Sequence, residues 1–198
     1  MRWPIVAWLV AAAPAMARAE PRERPDDLVE LGRYVPDAVL DLRYATTDNF
    51  TGTRLYPVAR CKLRRAVAER LARAAKLLRA HDRRLLVWDC YRPSSIQAAL
   101  WKLVPDERYV ANPKQGSVHS RGAAIDVGLA DRDGKPVALP TRFDEFSDAA
   151  HRDHTVHDPE ARRLDAAMRA AGFVGLPTEW WHYDAPDAKA YPLADEPL

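Results

Sequence analysis

The sequence predicts a single domain of mixed α and β structure. Three observations lead to this prediction: the length of 198 residues, the composition, and the presence of two different hydrophobic periods. A chain of this length can form one substantial core and is short for two. Hydrophobic residues make up 47% and charged residues 29%, which is typical of a folded globular protein. Some segments repeat apolar residues at helical spacing and others alternate as strands do.

The first half of the domain is predicted to contain a strand, a helix and a second strand. Residues 39–44 alternate between apolar and polar side chains, which indicates a half-buried strand. Residues 62–80 are predicted to form an amphipathic helix whose arginines lie on the solvated face. Its apolar side chains recur at helical spacing: Leu63, Val67, Leu71, Ala74 and Leu78. The short apolar run at residues 85–88 indicates a buried strand.

The second half is predicted to continue with a helix, a loop and a strand. A second helix begins with Pro93 in its first turn and ends before Pro105. Residues 105–116 have no hydrophobic period and are predicted to form a surface loop. Residues 123–130 indicate a strand, and residues 131–134 a turn of the hairpin kind.

Signals for a third helix surround residues 159–171. Asp158 is suited to the N-cap, Pro159 to the first helical position, and Gly172 to the residue that ends the helix. A last strand is predicted at residues 180–183.

The N-terminus has the pattern of a secretory signal peptide. A short basic start precedes an apolar run over residues 3–13, and small residues suited to cleavage follow up to Ala19. The run is shorter than the roughly 20 residues that span a bilayer, so no stable membrane insertion is expected after cleavage. We therefore predict a signal peptide at residues 1–19, a domain at residues 20–198, and a secreted, periplasmic protein.

The charge balance argues against a nucleic-acid partner. The chain has 30 basic and 28 acidic residues, and Arg2 and Arg18 lie in the predicted signal peptide, so 28 of each sign remain in the domain. No basic cluster with interleaved aromatic residues is present, as a nucleic-acid-binding surface would require. No pattern indicates an oligomeric state.

Two cysteines occur, Cys61 and Cys90. An oxidising compartment favours a disulfide between them. The alternative is two small buried thiols, because free cysteine packs like a small hydrophobic residue.

Two segments carry residues suited to a catalytic metal site. Catalytic zinc sites use three nitrogen or oxygen ligands and leave a fourth position open, and His119, Asp126 and His182 fit this pattern. Glu179 could act as a general base, because it lies next to the ligands without being needed as one. Residues 179 and 182 would point to opposite faces of a regular strand, so both can reach one metal only if the strand ends, bulges or turns there.

Arg92 has two interpretations. It is a fixed cation that could stabilise a developing oxyanion, or it could be the structural partner of Asp89. With the metal ligands and Glu179, the first interpretation describes amide hydrolysis.

The motif Ser117-x-His119-x-x-Gly122-x-Ala124-x-Asp126, followed by Glu179-x-Trp181-His182, resembles the zinc D,D-peptidase family (peptidase family M15) that contains the D-alanyl-D-alanine dipeptidases. Similar segments extend from about residue 28 to residue 191. The resemblance implies an α+β fold, a small antiparallel sheet backed by helices in a hedgehog/D,D-peptidase-like single domain.

The resemblance also implies a role for each site residue and one Zn²⁺ per chain. The ligands would be His119, Asp126 and His182, with Glu179 as general base and acid and Arg92 as the group that stabilises the tetrahedral intermediate. The ends of a small dipeptide substrate would be held by Tyr44, Ser117 and Asp144. The implied reaction is hydrolysis of D-Ala-D-Ala in periplasmic cell-wall turnover or scavenging.

Two other functions are compatible with these residues. A D,D-carboxypeptidase or peptidoglycan endopeptidase would need an open groove in place of a closed pocket. A non-catalytic, zinc-bearing wall-binding module would need neither Glu179 nor Arg92, so their presence favours an enzyme.

Overall fold

The computed structural model describes residues 24–198 and contains a five-stranded sheet, a two-stranded sheet and three α-helices. The strands are β1 (Leu28–Glu30), β2 (Val39–Leu40), β3 (Lys62–Arg64), β4 (Arg83–Asp89), β5 (Ala124–Asp131), β6 (Val174–Gly175) and β7 (His182–Asp184). The helices are α1 (Arg65–Arg79), α2 (Ser94–Leu103) and α3 (Pro159–Ala170). The predicted signal peptide lies outside the described residues. No helix among the described residues is long and apolar enough to cross a membrane.

The large sheet has the strand order β2-β4-β5-β7-β6, and β1 pairs with β3 in the small sheet. All pairs are antiparallel except β2 with β4, which is parallel. The predicted α+β fold with a mainly antiparallel sheet is therefore confirmed.

The two faces of the large sheet have different surroundings. Helices α1 and α3 pack on each other and on β4 and β5, where Ile125, Val127 and Leu129 are fully buried. Because side chains alternate along a strand, Asp126 and Gly128 lie on the opposite face. A Cβ atom at Gly128 would lie 2.4 Å from the Trp88 ring, so glycine is needed for this ring to cross β5. The face of the sheet without α1 and α3 is thus the one that carries Asp126.

Two predicted strands are shorter than expected. The strand predicted at residues 39–44 ends at Leu40, and a 3₁₀ turn follows at Arg43–Ala45. The alternating pattern misled because Leu42 and Tyr44 are buried without being in the sheet. The strand predicted at residues 180–183 begins only at His182.

The helix predicted at residues 62–80 begins at Arg65, because Lys62–Arg64 forms strand β3. Leu63 lies at helical spacing from Val67, and it is buried as the central residue of that strand. The second helix begins at Ser94, so Pro93 is its N-cap residue, not a residue of its first turn. It ends at Leu103, before Pro105, as predicted.

The signals around α3 are confirmed. The Asp158 carboxylate accepts hydrogen bonds from the backbone N–H groups of Glu160 and Ala161, at 2.9 and 2.7 Å. Gly172 has a φ of 91°, and the N–H of Phe173 donates to the carbonyl of Met168. This pair of features is a Schellman ending.

A partly buried ion pair connects β4 to α3 and provides a stability prediction. The Arg83 guanidinium donates to both Glu160 carboxylate oxygens, at 2.9 and 2.8 Å, and lowers the pKa of Glu160 to about 2. We expect Glu160→Gln to lower the free energy of unfolding at pH 7 by about 1 kcal/mol, a value reduced for partial exposure.

The pH dependence of this contribution has a defined sign. The folded-state pKa is lowered, so the stabilisation is present above the ordinary pKa of 4.5 and is lost as the pH falls toward 2. Chemical denaturation at several pH values measures it. Glu69→Gln, in a pair with Arg65 whose carboxylate is more exposed than that of Glu160, is the control and should change stability by less than about 0.5 kcal/mol. An equal effect of the two substitutions at pH 7 would contradict the prediction.

Candidate active site

Three buried side chains converge on the face of the sheet that carries Asp126. His119, Asp126 and His182 each offer one metal-ligating atom, and these atoms lie within 4.8 Å of one another. Asp126 and His182 are direct partners in the pairing of β5 with β7. His119 comes from a 3₁₀ turn at His119–Arg121, which Gly122 ends with a φ of 68°. The structure therefore brings together all three predicted ligands.

Hydrogen bonds orient the two imidazoles toward Asp126. The Nδ1 atom of His119 lies 2.7 Å from the carbonyl oxygen of Cys90, which leaves its Nε2 3.3 Å from Asp126. The Nε2 atom of His182 lies 2.9 Å from Asp184, which leaves its Nδ1 2.9 Å from Asp126. Such outer contacts fix the ring and the tautomer of metal-binding histidines. Two nitrogens and one carboxylate, oriented in this way, fit a catalytic zinc ion.

Glu179 lies beside the three ligands. One of its carboxylate oxygens is 3.9 Å from the Nδ1 atom of His182. The side chains of Glu179 and His182 can face the same site because β7 begins only at His182, so the chain between the two residues is not a regular strand. Burial is the main cause that raises the pKa of the Glu179 carboxyl, against the charge of His182, which lowers it. A carboxylate with a raised pKa is suited to accept a proton and return it.

The sequence left two interpretations of Arg92 open, a structural partner of Asp89 and a cation in the active site, and the structure is compatible with both. Its Nε and Nη2 atoms donate to one oxygen of Asp89, at 3.0 and 2.5 Å, and its Nη1 donates to Gln97 at 2.8 Å. Asp89 is fully buried and also accepts from the hydroxyl of Tyr56 at 2.6 Å. Arg92 is thus the structural partner of Asp89 and also lines the cavity that contains the ligands.

Tyr44, Ser117 and Asp144 lie around the same centre. The Tyr44 hydroxyl donates to the Asp144 carboxylate at 2.9 Å, and the Ser117 hydroxyl accepts from the backbone N–H of His119 at 3.2 Å. Burial raises the pKa of Asp144 well above its usual range, and the charge of Asp126 adds to this effect. An ammonium group beside Asp144 would favour its charged form.

One cavity of about 300 Å³ joins these groups. All eight predicted site residues line it: Tyr44, Arg92, Ser117, His119, Asp126, Asp144, Glu179 and His182. The loop predicted at residues 105–116 contributes its rim through Glu107, Arg108 and Tyr109. The volume is at the lower end of the range for small-molecule sites.

The chain is similar to a known protein family over most of its length. The model of the family described as D-ala-D-ala dipeptidase (Peptidase_M15) matches residues 24–196. The chain belongs to this M15 peptidase family. A D-alanyl-D-alanine dipeptidase of Escherichia coli K12 is 40% identical over 171 residues, which cover 84% of this chain and 89% of that protein.

Two further relatives with the same name come from other bacteria. The protein of Enterococcus faecium is 34% identical over 179 residues, which cover 76% of this chain and 89% of that protein. The protein of Streptomyces coelicolor is 32% identical over 168 residues, which cover 72% of this chain and 83% of that protein. The predicted family and the prediction of a peptidase are therefore confirmed. M15 proteins are metallopeptidases, in agreement with the His/Asp ligand cluster.

Two groups that contact the candidate ligands of this M15 peptidase were not among the predicted site residues. Asp184 contacts His182 and lies two residues after it in β7. Residues at this spacing lie on the same face of a strand, so the sequence could have predicted the contact. The contact of the Cys90 carbonyl could not be predicted, because every residue has a backbone carbonyl and its sequence position does not show which one faces the site. The sulfur of Cys90 is bonded to Cys61, with 5.4 Å between the Cα atoms.

Proposed function

We propose that this M15 peptidase is a secreted, zinc-dependent dipeptidase that hydrolyses D-Ala-D-Ala to two D-alanines. Its role would be turnover or scavenging of cell-wall dipeptides in the periplasm. One observation carries the proposal: the ligand cluster, the Glu179 carboxylate, the Arg92 guanidinium and Asp144 line a single cavity of dipeptide size. The names of the relatives support the same substrate.

His119, Asp126 and His182 would hold the zinc ion. When bound, zinc supplies a Lewis acid that polarises the scissile carbonyl and lowers the pKa of the attacking water. The two imidazoles and one carboxylate carry a single negative charge, so the ion keeps a net positive charge for this purpose.

Glu179 would move the proton. Its carboxylate takes a proton from the attacking water and delivers it to the nitrogen of the leaving D-alanine. The raised pKa of the Glu179 carboxyl favours the first transfer, because it makes the carboxylate a stronger base.

Arg92 would stabilise the negative charge that develops on the carbonyl oxygen. Asp89 and Gln97 hold the guanidinium before substrate arrives, so little reorganisation is needed during the reaction.

Tyr44, Ser117 and Asp144 would recognise the ends of the dipeptide. The Asp144 carboxylate pairs with the free ammonium group, and Tyr44 fixes the position of that carboxylate. A blocked amine would place an amide beside a buried carboxylate, which is an unfavourable exchange for an ion pair. This preference for a free amine would make the enzyme a dipeptidase.

Secretion is supported by the predicted signal peptide and by the disulfide, which is typical of oxidising compartments. A small dipeptide would be the partner, and a nucleic-acid partner is not expected from the balanced charge.

A D,D-carboxypeptidase is the second candidate, and one observation favours it. A larger cavity, of about 960 Å³, also has Phe50 and Asp144 in its wall, so it adjoins the cavity that contains the ligands. A longer peptide could extend into that space. A wall-binding module without catalysis is disfavoured, because both Glu179 and Arg92 line the site.

The test is D-alanine release from D-Ala-D-Ala, with and without a chelator, beside N-acetyl-D-Ala-D-Ala. We expect chelator-sensitive release from the free dipeptide only, restored by zinc. Asp144→Asn should raise KM for the dipeptide at least tenfold and reduce the preference over the acetylated substrate, because the ion pair with the ammonium is lost. Release mainly from the acetylated substrate would support the carboxypeptidase, and release from neither would overturn both enzymatic functions.

A further inference from the structure

The disulfide joins two parts of the fold that share no strand pairing. Cys61 directly precedes β3, which belongs to the small sheet, and Cys90 directly follows β4, which belongs to the large sheet. Both half-cystines are about 1% exposed. Besides the disulfide, a hydrogen bond from the N–H of Tyr91 to the carbonyl of Lys62, at 3.0 Å, connects the same two segments. The disulfide therefore ties the end of β4 to the small sheet.

The end of β4 is a point where the large sheet is irregular. The pairing of β4 with β5 shifts register between Val87 and Asp89. The backbone N–H of Cys90 donates to the side chain of its own neighbour Asp89, at 2.9 Å, and not to another strand. The Cys90 carbonyl shares a peptide unit with the N–H of Tyr91, which donates to the carbonyl of Lys62, so its direction depends on the contact with the segment of Cys61 and β3 and not on the pairing of β4 with β5.

The Cys90 carbonyl contacts one of the candidate ligands, because it lies 2.7 Å from the Nδ1 atom of His119. A second contact joins the same segments, since the N–H of Arg92 donates to the carbonyl of His119 at 3.2 Å. Any movement of residue 90 would change the direction in which the Nε2 atom of His119 points.

We propose that the Cys61–Cys90 disulfide is a positioning element of the metal site, which holds the Cys90 carbonyl where it orients His119. This inference rests on the proposed metal-dependent function. The proposal assigns the bridge an effect on metal binding in addition to the general stabilisation that any disulfide provides.

Metal affinity distinguishes these two roles. In Cys61→Ala the tether is lost while residue 90 and its carbonyl remain, and Cys61→Ala/Cys90→Ala controls for the free thiol. We expect either variant to bind Zn²⁺ about 10- to 100-fold more weakly, measured by competition with a chromophoric chelator, because loss of outer contacts to metal-binding histidines has effects of this size. The visible absorption spectrum of the Co²⁺-loaded protein should also change, because it reports ligand geometry.

Leu78→Ala is the matched control for stability. Leu78 is fully buried in α1, on the other side of the sheet from the ligands, so its truncation should destabilise the fold without altering metal affinity. All measurements are made on protein whose circular dichroism shows it to be folded. Unchanged Zn²⁺ affinity and Co²⁺ spectrum in both cysteine variants, or an equal loss of affinity in Leu78→Ala, would overturn the proposal. Failure of the wild-type protein to bind Zn²⁺ would instead overturn the proposed function on which it rests.

Discussion

Glu179→Gln is expected to lower kcat for D-Ala-D-Ala by about 10²- to 10⁴-fold while metal content stays unchanged. Glutamine keeps the size of the side chain but cannot accept a proton from water. Glu179 is not one of the three clustered ligand residues, so the metal should remain bound. Initial rates at saturating substrate, together with metal analysis of the same preparation, provide the measurement.

Glu107→Gln is the control for this substitution. Glu107 also contributes to the wall of the cavity, but its carboxylate lies at the rim, where it accepts a hydrogen bond from Asn112. Its kcat should stay within about threefold of the wild-type value, as for surface changes remote from the reacting atoms. Substantial turnover by Glu179→Gln would show that another group is the base.

Arg92→Lys is expected to lower kcat by about 10²- to 10³-fold with little change in KM, because the contact with the carbonyl oxygen strengthens as negative charge develops. Lysine keeps the positive charge but cannot reproduce the planar fork that now contacts Asp89 and Gln97. Lysine is preferred to alanine as the test, because alanine would leave the charge of Asp89 buried without its cationic partner, at a cost of about 3–5 kcal/mol in stability.

Arg108→Lys provides the comparison for Arg92→Lys. The exposed Arg108 lies at the rim of the same cavity and pairs with Asp106, so the kinetic constants of Arg108→Lys should remain close to those of the wild type. Thermal unfolding of both variants separates lost catalysis from lost structure. A rise in KM without a fall in kcat would assign Arg92 to substrate binding in the ground state.

The site was more predictable than the boundaries of the elements that hold it. His119, Asp126 and His182 have side chains whose chemistry is specific, and their spacing within two short motifs carries information. Strand β3 was hidden because Leu63 satisfies a helical period and a strand position equally well. The pairing of β3 with β1 is a tertiary contact, and local periodicity does not report it.

The surroundings of Arg92 show a different limit. The pairing with Asp89 could be considered from the sequence, because the two residues are three positions apart. The hydroxyl of Tyr56, which completes the hydrogen bonds of Asp89, comes from a position 33 residues earlier. Such a partner depends on the path of the chain across the sheet, which sequence spacing does not define.

The pairing of Asp126 with His182 has a consequence for the order of events during synthesis. His182 lies 56 residues after Asp126 and opens the C-terminal strand β7, so the third candidate ligand emerges late from the ribosome. A nascent chain that ends before β7 offers only His119 and Asp126, and two ligands bind a metal far more weakly than three. Under the proposed function, tight metal binding would therefore wait until the sheet has received its C-terminal strands, and a chain that ends before β7 would bind the ion only weakly.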